Sequence, residues 1–253
     1  MTSIALLGAT GSLGSQVARQ ATSAGHRLSV LVRSPGKLSP DVASRAQVLT
    51  ADLIKMPTRE LAQFAEGHDA LVCCAGVVTE GERFVALVDR VVSAVESLPS
   101  QARPLCWFLA GVALLDLDAN GRRGVDLPRI GSTYWPHRAN FERLLRSDLD
   151  WRLLCPGPMV DRPAIGMDKL RISTDVLPAQ LPALARHLPA ALVLPLFAAR
   201  VPDMIIPYAD AASVILANLE HGGSLYRKRV GLALPVGMRG SKDRWAAQPK
   251  KAT

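Results

Sequence analysis

Ile4-Ala5-Leu6-Leu7-Gly8-Ala9-Thr10-Gly11-Ser12-Leu13-Gly14 carries an apolar run straight into three glycines spaced three apart. Residues 4 to 7 are apolar at every position, the pattern of a parallel strand covered by helices on both faces. Glycine at 8, 11 and 14 suits a turn and the first turn of a helix. Without Cβ atoms the backbone can approach a pyrophosphate, and the helix can pack tightly on the strand. A helix from Ser12 to about Ala24 presents free N–H groups and the positive end of its dipole to that phosphate. A second strand, Arg27 to Arg33, follows, so the triplet stands in the strand–turn–helix–strand context that a dinucleotide site requires. Gly8, Thr10, Gly11, Ser12, Leu13 and Gly14 are the first candidate cofactor contacts.

The alternation continues outward from this seed. Strands are expected at 4–8, 28–33, 47–50, 70–75, 105–110 and 152–155, with a later one near 204–206; helices are expected at 12–24, 58–66, 82–98, 136–147 and 209–220. That order predicts an α/β fold, a Rossmann-type doubly wound parallel sheet with ligands at the carboxyl ends of its strands. The chain of 253 residues, 49% apolar, is ample for one large core. Residues 1–226 are read as a single domain, with the proline-rich stretch 156–208 as a small substrate-side cap.

Charge and cysteine content exclude several functions. The net charge is +8, but residues 227 to 253 hold eight Lys or Arg against one acid, which leaves only +1 for residues 1 to 226. The excess is therefore expected in a solvated basic tail, 227–253, and nucleic-acid binding ranks last among the functional readings. Cys73, Cys74, Cys106 and Cys155 sit in apolar runs without metal-ligand spacing, as buried thiols of a reducing compartment do. Cys73 and Cys74, adjacent on one strand, should point to opposite faces. No signal peptide precedes the first strand, and the expected location is the cytoplasm. Leu188 to Ala199 is apolar but broken by Pro189 and Pro195, too short for a membrane span. Core packing, an apolar wall for a small-molecule substrate or an interface in a homodimer are its alternatives.

The second strand ends Leu31-Val32-Arg33-Ser34-Pro35-Gly36-Lys37, with no acid to hold a ribose 2′-hydroxyl. Arg33 can instead stack on adenine and pair with a 2′-phosphate, with Lys37 as a further donor. NADP(H) is thus preferred over NAD(H). Asp52 and Leu53 suit the adenine edge, and Ala75-Gly76 ends the fourth strand with small residues that admit a cofactor backbone.

With these residues the chain resembles the atypical short-chain dehydrogenase/reductases, in particular the NmrA-like NAD(P)H-binding group of flavin, biliverdin and quinone reductases and redox-sensing regulators. Gly8-Ala-Thr-Gly11-Ser-Leu-Gly14 and Leu31-Val-Arg33-Ser-Pro-Gly-Lys37 match its signatures. Asn140-Phe-Glu142 through Pro156-Gly157 is similar to its helix-to-strand passage, and Ile206-Pro-Tyr-Ala-Asp210 to its late strand and the Asp-capped helix that follows. The resemblance implies that Ala110, Pro156 and Gly157 lie along the cofactor. It also implies a catalytic Tyr with a cation four residues later, which falls on Tyr134 and Arg138. A phenol ordinarily holds its proton well above neutral pH, so a fixed cation must ease that proton's transfer. Arg138 can supply the field, although a permanently charged guanidinium cannot relay a proton. His137, the one nearby group that ordinarily titrates near neutrality, is a third catalytic candidate.

The group's usual Ser or Thr after the fifth strand is missing: the strand ends Phe108-Leu109-Ala110-Gly111-Val112-Ala113. Ser132 and Thr133 are the candidate substitutes. The loop Leu115 to Asp126, with its acids and Arg122-Arg123, is read as a set of internal ion pairs that can fold over the substrate. Losing a positioned donor costs about 3 kcal/mol of transition-state stabilisation at a carbonyl. Flavins and quinones spread incoming charge and depend less on such a donor. The expected function is an NADPH-dependent oxidoreductase acting on a small conjugated or carbonyl acceptor. The alternative is a non-catalytic NADP(H)-binding redox sensor.

Overall fold

The computed structural model describes residues 1–241. Ten strands and seven α-helices follow one another in the alternation that the sequence suggests. They are β1 (Ser3–Leu7), α1 (Ser12–Ser23), β2 (Arg27–Val32), α2 (Pro40–Arg45), β3 (Gln47–Thr50), α3 (Thr58–Ala65), β4 (Ala70–Cys73), α4 (Glu82–Glu96) and β5 (Leu105–Leu109). The second half contributes α5 (Gly131–Leu145), β6 (Trp151–Cys155), β7 (Met159–Val160), β8 (Arg171–Thr174), α6 (Ala190–Arg200), β9 (Ile206–Pro207), α7 (Tyr208–Leu216) and β10 (Lys228–Ala233). The main sheet has the order β3-β2-β1-β4-β5-β6-β10-β8, all parallel except the β8–β10 pair. The order reverses between β1 and β4, the crevice where such sheets bind ligands.

Strand periodicity explains how one sheet serves two cores. Along β1, Ala5 and Leu7 enter one apolar cluster while Ile4 and Leu6 enter the other. In β5, Cys106 and Phe108 face the first and Leu105 and Trp107 the second. Helices α3, α4 and α5 cover the first face through Leu61, Val88 and Leu144; α1 and α7 cover the second through Val17 and Ile215. Truncating a side chain such as Leu6, wholly buried, removes about 2–5 kcal/mol of stability. Cys73 joins the first cluster and Cys74 packs against the second, so the two thiols do face opposite ways.

Residues near the carboxyl end of the chain differ from expectation. The stretch read as a basic tail from residue 227 begins with β10, an interior strand paired with both β6 and β8. Its apolar run Val230-Gly-Leu-Ala-Leu234 is buried, and its charges are neutralised in place. Arg229 is 7% exposed and meets Asp116 through two bonds of 2.9 and 3.0 Å. Its Nε reaches Asp175 at 3.3 Å, and Lys228 pairs with the same carboxylate at 3.0 Å. Arg227 donates to the Leu145 and Ser147 carbonyls and Arg239 pairs with Asp203 at 3.2 Å, while the basic residues from 242 on lie outside the described residues. Likewise, the segment read as a cap, 156–208, supplies β8 to the main sheet's edge, and its β7 and β9 pair as a small second sheet.

Helix α5 starts at Gly131, five residues before the expected 136, with Pro136 inside it. Asp210 does not cap α7. It is fully buried and accepts backbone N–H bonds from Ile165 and Gly166, both at 2.9 Å, which ties the loop after β7 to α7. Among the described residues no helix is long and apolar enough to cross a membrane.

Candidate functional site

The first turn of the chain opens a cavity of about 450 Å³ across the carboxyl ends of β1 to β5. Gly8, with φ +83°, bends the chain there; a Cβ on it would sit 2.7 Å from the backbone of Cys74 and Ala75 at the end of β4. Gly14 lies below the turn, where a Cβ would run into the Gly8 carbonyl. Gly11 differs: a Cβ there would meet only the Gly8 oxygen, at 3.4 Å. Protein packing therefore explains glycine at 8 and 14, whereas at 11 it keeps open the surface that a ligand would approach. Helix α1 begins beside it with no side-chain cap and no acid in its first turn, so its N–H groups and dipole face the cavity.

Thr10, Ser12, Leu13, Arg33, Asp52, Leu53, Ala75 and Gly76 line this cavity together with Gly8 and Gly11. Arg33 is exposed and has no ion pair among the described residues, which suits an incoming phosphate. Asp52 uses one carboxylate oxygen to accept the Ile54 N–H at 3.0 Å. Lys37 ends the 3-10 turn Pro35–Lys37 and does not line the cavity. These donors and small residues fit a dinucleotide whose pyrophosphate lies on the α1 N-terminus.

A second cavity of about 460 Å³ adjoins the first, and Met159 and Tyr208 line both. Ala110, Pro156 and Gly157 are in its wall, together with Tyr134 and His137 from α5. Leu194 and Phe197 from α6, and Val201 just beyond it, close it on the far side, so the apolar 188–199 stretch does supply a wall. No charged side chain lines this cavity. The Tyr134 ring stacks on His137 with centroids 6.0 Å apart and planes 19° from parallel. Phe84 meets His137 edge-on at 5.8 Å.

Two catalytic expectations change here. His137 is 5% exposed, and burial pushes its pKa down to about 4. It is therefore neutral at physiological pH and does not titrate near neutrality. Arg138 turns to other partners: its Nη2 donates to Asp126 at 2.6 Å and to the Val125 carbonyl at 3.0 Å. It lines a separate cavity with Trp135 and Ser132, paired there with Asp126, which also meets Arg123 at 3.4 Å. Ser132 donates to the Arg129 carbonyl at 3.2 Å. Neither Ser132 nor Thr133 lines the Tyr134 cavity. The 115–126 loop carries the expected internal ion pairs, Asp118 with Arg122 and Asp126 with Arg123, both at 3.4 Å; Asp116 ties it to Arg229, and none of its residues lines the Tyr134 cavity.

Sequence reading missed Tyr208 and Met159. Both follow points that were noted, Ile206-Pro207 and Pro156-Gly157-Pro158, but only the pairing of β7 with β9 at Met159↔Ile206 brings them together.

The sequence pattern of a family described as NAD(P)H-binding matches residues 8–180. Among curated proteins, an uncharacterized protein of Bacillus subtilis, YwnB, is 23% identical over 224 residues, 86% of this chain and 92% of its own length. A Streptococcus pneumoniae structure named as a candidate NADH-flavin reductase superposes with TM-score 0.68 at 18% identity, covering 92% of this chain and all of its own. A Veillonella parvula short-chain dehydrogenase/reductase, solved in complex with NADP, gives TM-score 0.65 at 14% identity, covering 96% and 99% of the two chains. At these identities the structures share the fold.

Proposed function

The chain belongs to the NAD(P)H-binding family, and from that premise we propose that it is an NADPH-dependent oxidoreductase acting on a flat conjugated carbonyl acceptor, a quinone or a flavin. One observation carries this reading: a polar, glycine-floored cavity meets an uncharged, largely apolar one at Met159 and Tyr208. A dinucleotide held by the residues of the first cavity would supply hydride from its dihydronicotinamide to an acceptor in the second. The Gly8–Gly14 turn and α1 hold the pyrophosphate, Asp52 and Leu53 the adenine edge, and Arg33 the 2′-phosphate, with Lys37 adding positive potential nearby. Ala75 and Gly76 leave room for the cofactor backbone, while Ala110, Pro156 and Gly157 border the nicotinamide end.

Apolar walls exclude water and strengthen each hydrogen bond made inside. Tyr134, 36% exposed at the cavity rim, gives its hydroxyl proton to the reduced acceptor and recovers one from solvent. With Arg138 paired to Asp126 outside this cavity, a simple ketone, which concentrates charge on one oxygen, is a poorer acceptor than a system that delocalises it.

The same placement of Arg138 on Asp126 favours a second reading, a non-catalytic NADP(H) sensor. Turnover separates the two. NADPH oxidation is followed by absorbance with excess protein against flavins, quinones and conjugated carbonyls, in wild type and Tyr134→Phe. Oxidation that falls sharply in the variant supports the reductase and its proton donor. Tight NADPH binding with no oxidation by any acceptor supports the sensor.

A further inference from the structure

The fifth strand ends without the hydroxyl that would steady an acceptor oxygen, and the space beside it is filled by an imidazole. Gly111, just past β5, has extended backbone at φ −140° and ψ 156°, a conformation that any residue adopts. Glycine there is therefore a matter of room. A Cβ on Gly111 would lie 3.2 Å from His137 Nε2 and 3.4 Å from its Cδ2. The imidazole edge thus lies within reach of the place where a side chain at 111 would project, and both residues line the acceptor cavity.

We propose that His137, through Nε2–H, is the hydrogen-bond donor to the carbonyl oxygen of the acceptor, and that Gly111 is the space that admits it. This rests on the reductase reading. His137 is 5% exposed, and its Nδ1 is buried with no hydrogen-bond partner. Nε2, turned to Gly111 at the cavity wall, is the ring nitrogen that a ligand can satisfy, and we assign the proton to it. A buried donor left without a partner is costlier to the fold than an acceptor so left. Phe84 and Tyr134 fix the ring from two sides, so the donor is preorganised. Hydride adds two electrons and one proton's mass to the acceptor, leaving negative charge on its oxygen. His137 donates a hydrogen bond to that oxygen without transferring its proton, and Tyr134 supplies the proton that completes the reduction. The low pKa of the ring, about 4, keeps it a neutral donor throughout.

The test uses menadione as acceptor, with NADPH oxidation and imidazole NMR as separate readouts. His137→Phe keeps the ring packing and removes both nitrogens; the expected loss in kcat/KM is about a hundredfold. His137→Ala loses as much, and adding Gly111→Ser to it restores at least about tenfold, because a hydroxyl then occupies the freed space. In the NADP⁺-bound protein, menadione shifts the Nε2 resonance of His137, identified among the five histidines by its disappearance in His137→Phe. Full activity in His137→Phe, or no rescue by Gly111→Ser together with an unshifted resonance, overturns the assignment. If wild type is inactive while the resonance shifts, the reductase reading falls and the carbonyl contact stands. Inactivity with no shift removes both.

Discussion

His137 offers a test of the burial argument that needs no substrate. Its pKa falls from 6.5 to about 4 through desolvation, so the folded protein holds a neutral imidazole that the unfolded chain protonates below pH 6.5. Between these values the unfolded state binds more protons, and stability therefore falls as pH falls. The full span corresponds to about 3 kcal/mol, reached as pH passes through the folded value; at pH 5 the loss is about 2 kcal/mol. His137→Phe keeps the packing on Phe84 and Tyr134 and removes the titration. Urea unfolding at pH 7.5 and pH 5, read by the fluorescence of the buried Trp107 and Trp151, gives the difference between the two proteins at each pH. The difference should move by about 2 kcal/mol in favour of the variant at pH 5. Comparison at each pH cancels the carboxylates that titrate in both. A difference that stays within about 0.5 kcal/mol, well under the shift expected from linkage, would refute a desolvated neutral ring.

Other outcomes follow from the same geometry. Arg33→Glu should weaken NADPH binding at least about tenfold more than NADH binding, measured by fluorescence titration; equal losses remove the 2′-phosphate role. Gly14→Ala drives a Cβ into the Gly8 carbonyl and should lower the melting temperature markedly, whereas Gly11→Ala should leave it nearly unchanged and weaken cofactor binding. Arg229→Ala takes the guanidinium from Asp116 and leaves Asp175 with Lys228 alone, and should cost about 3 kcal/mol in urea unfolding; a change under about 1 kcal/mol would mean that solvent already shields that cluster.

Five of the first six parallel strands were legible because buried strands read as apolar runs bounded by turns; the other, β3, is an exposed edge strand, Gln47–Thr50, with only Val48 and Leu49 apolar. The sequence hid β10 because that strand opens with Lys228-Arg229, charges that local pattern assigns to solvent. Their partners, Asp116 and Asp175, come from distant parts of the chain, and no periodicity reveals such a pair. Helix α5 begins at Gly131 and not at 136, and carries inside it a proline of the kind that ordinarily occupies a first turn. That displaced start concealed the side chains that share a face. Tyr134 and His137 both reach the cavity, while Arg138 is drawn to Asp126. The glycine turn, Arg33, Asp52 and Ala75-Gly76 were legible as neighbours because the first cavity is lined by residues at fixed offsets from strand ends. In the second cavity Ala110, Pro156, Gly157, Tyr134, His137 and the 188–199 stretch were legible too, whereas Met159 and Tyr208 were not, because only the pairing of β7 with β9 brings them together.

The central claim is that two adjoining cavities hold NADPH and its acceptor together. Initial rates of NADPH oxidation, with menadione varied at several fixed NADPH concentrations, test it directly. Intersecting reciprocal plots, the mark of a complex with both reactants bound, are the predicted result. Parallel plots, or no oxidation of bound NADPH at any menadione concentration, would contradict it.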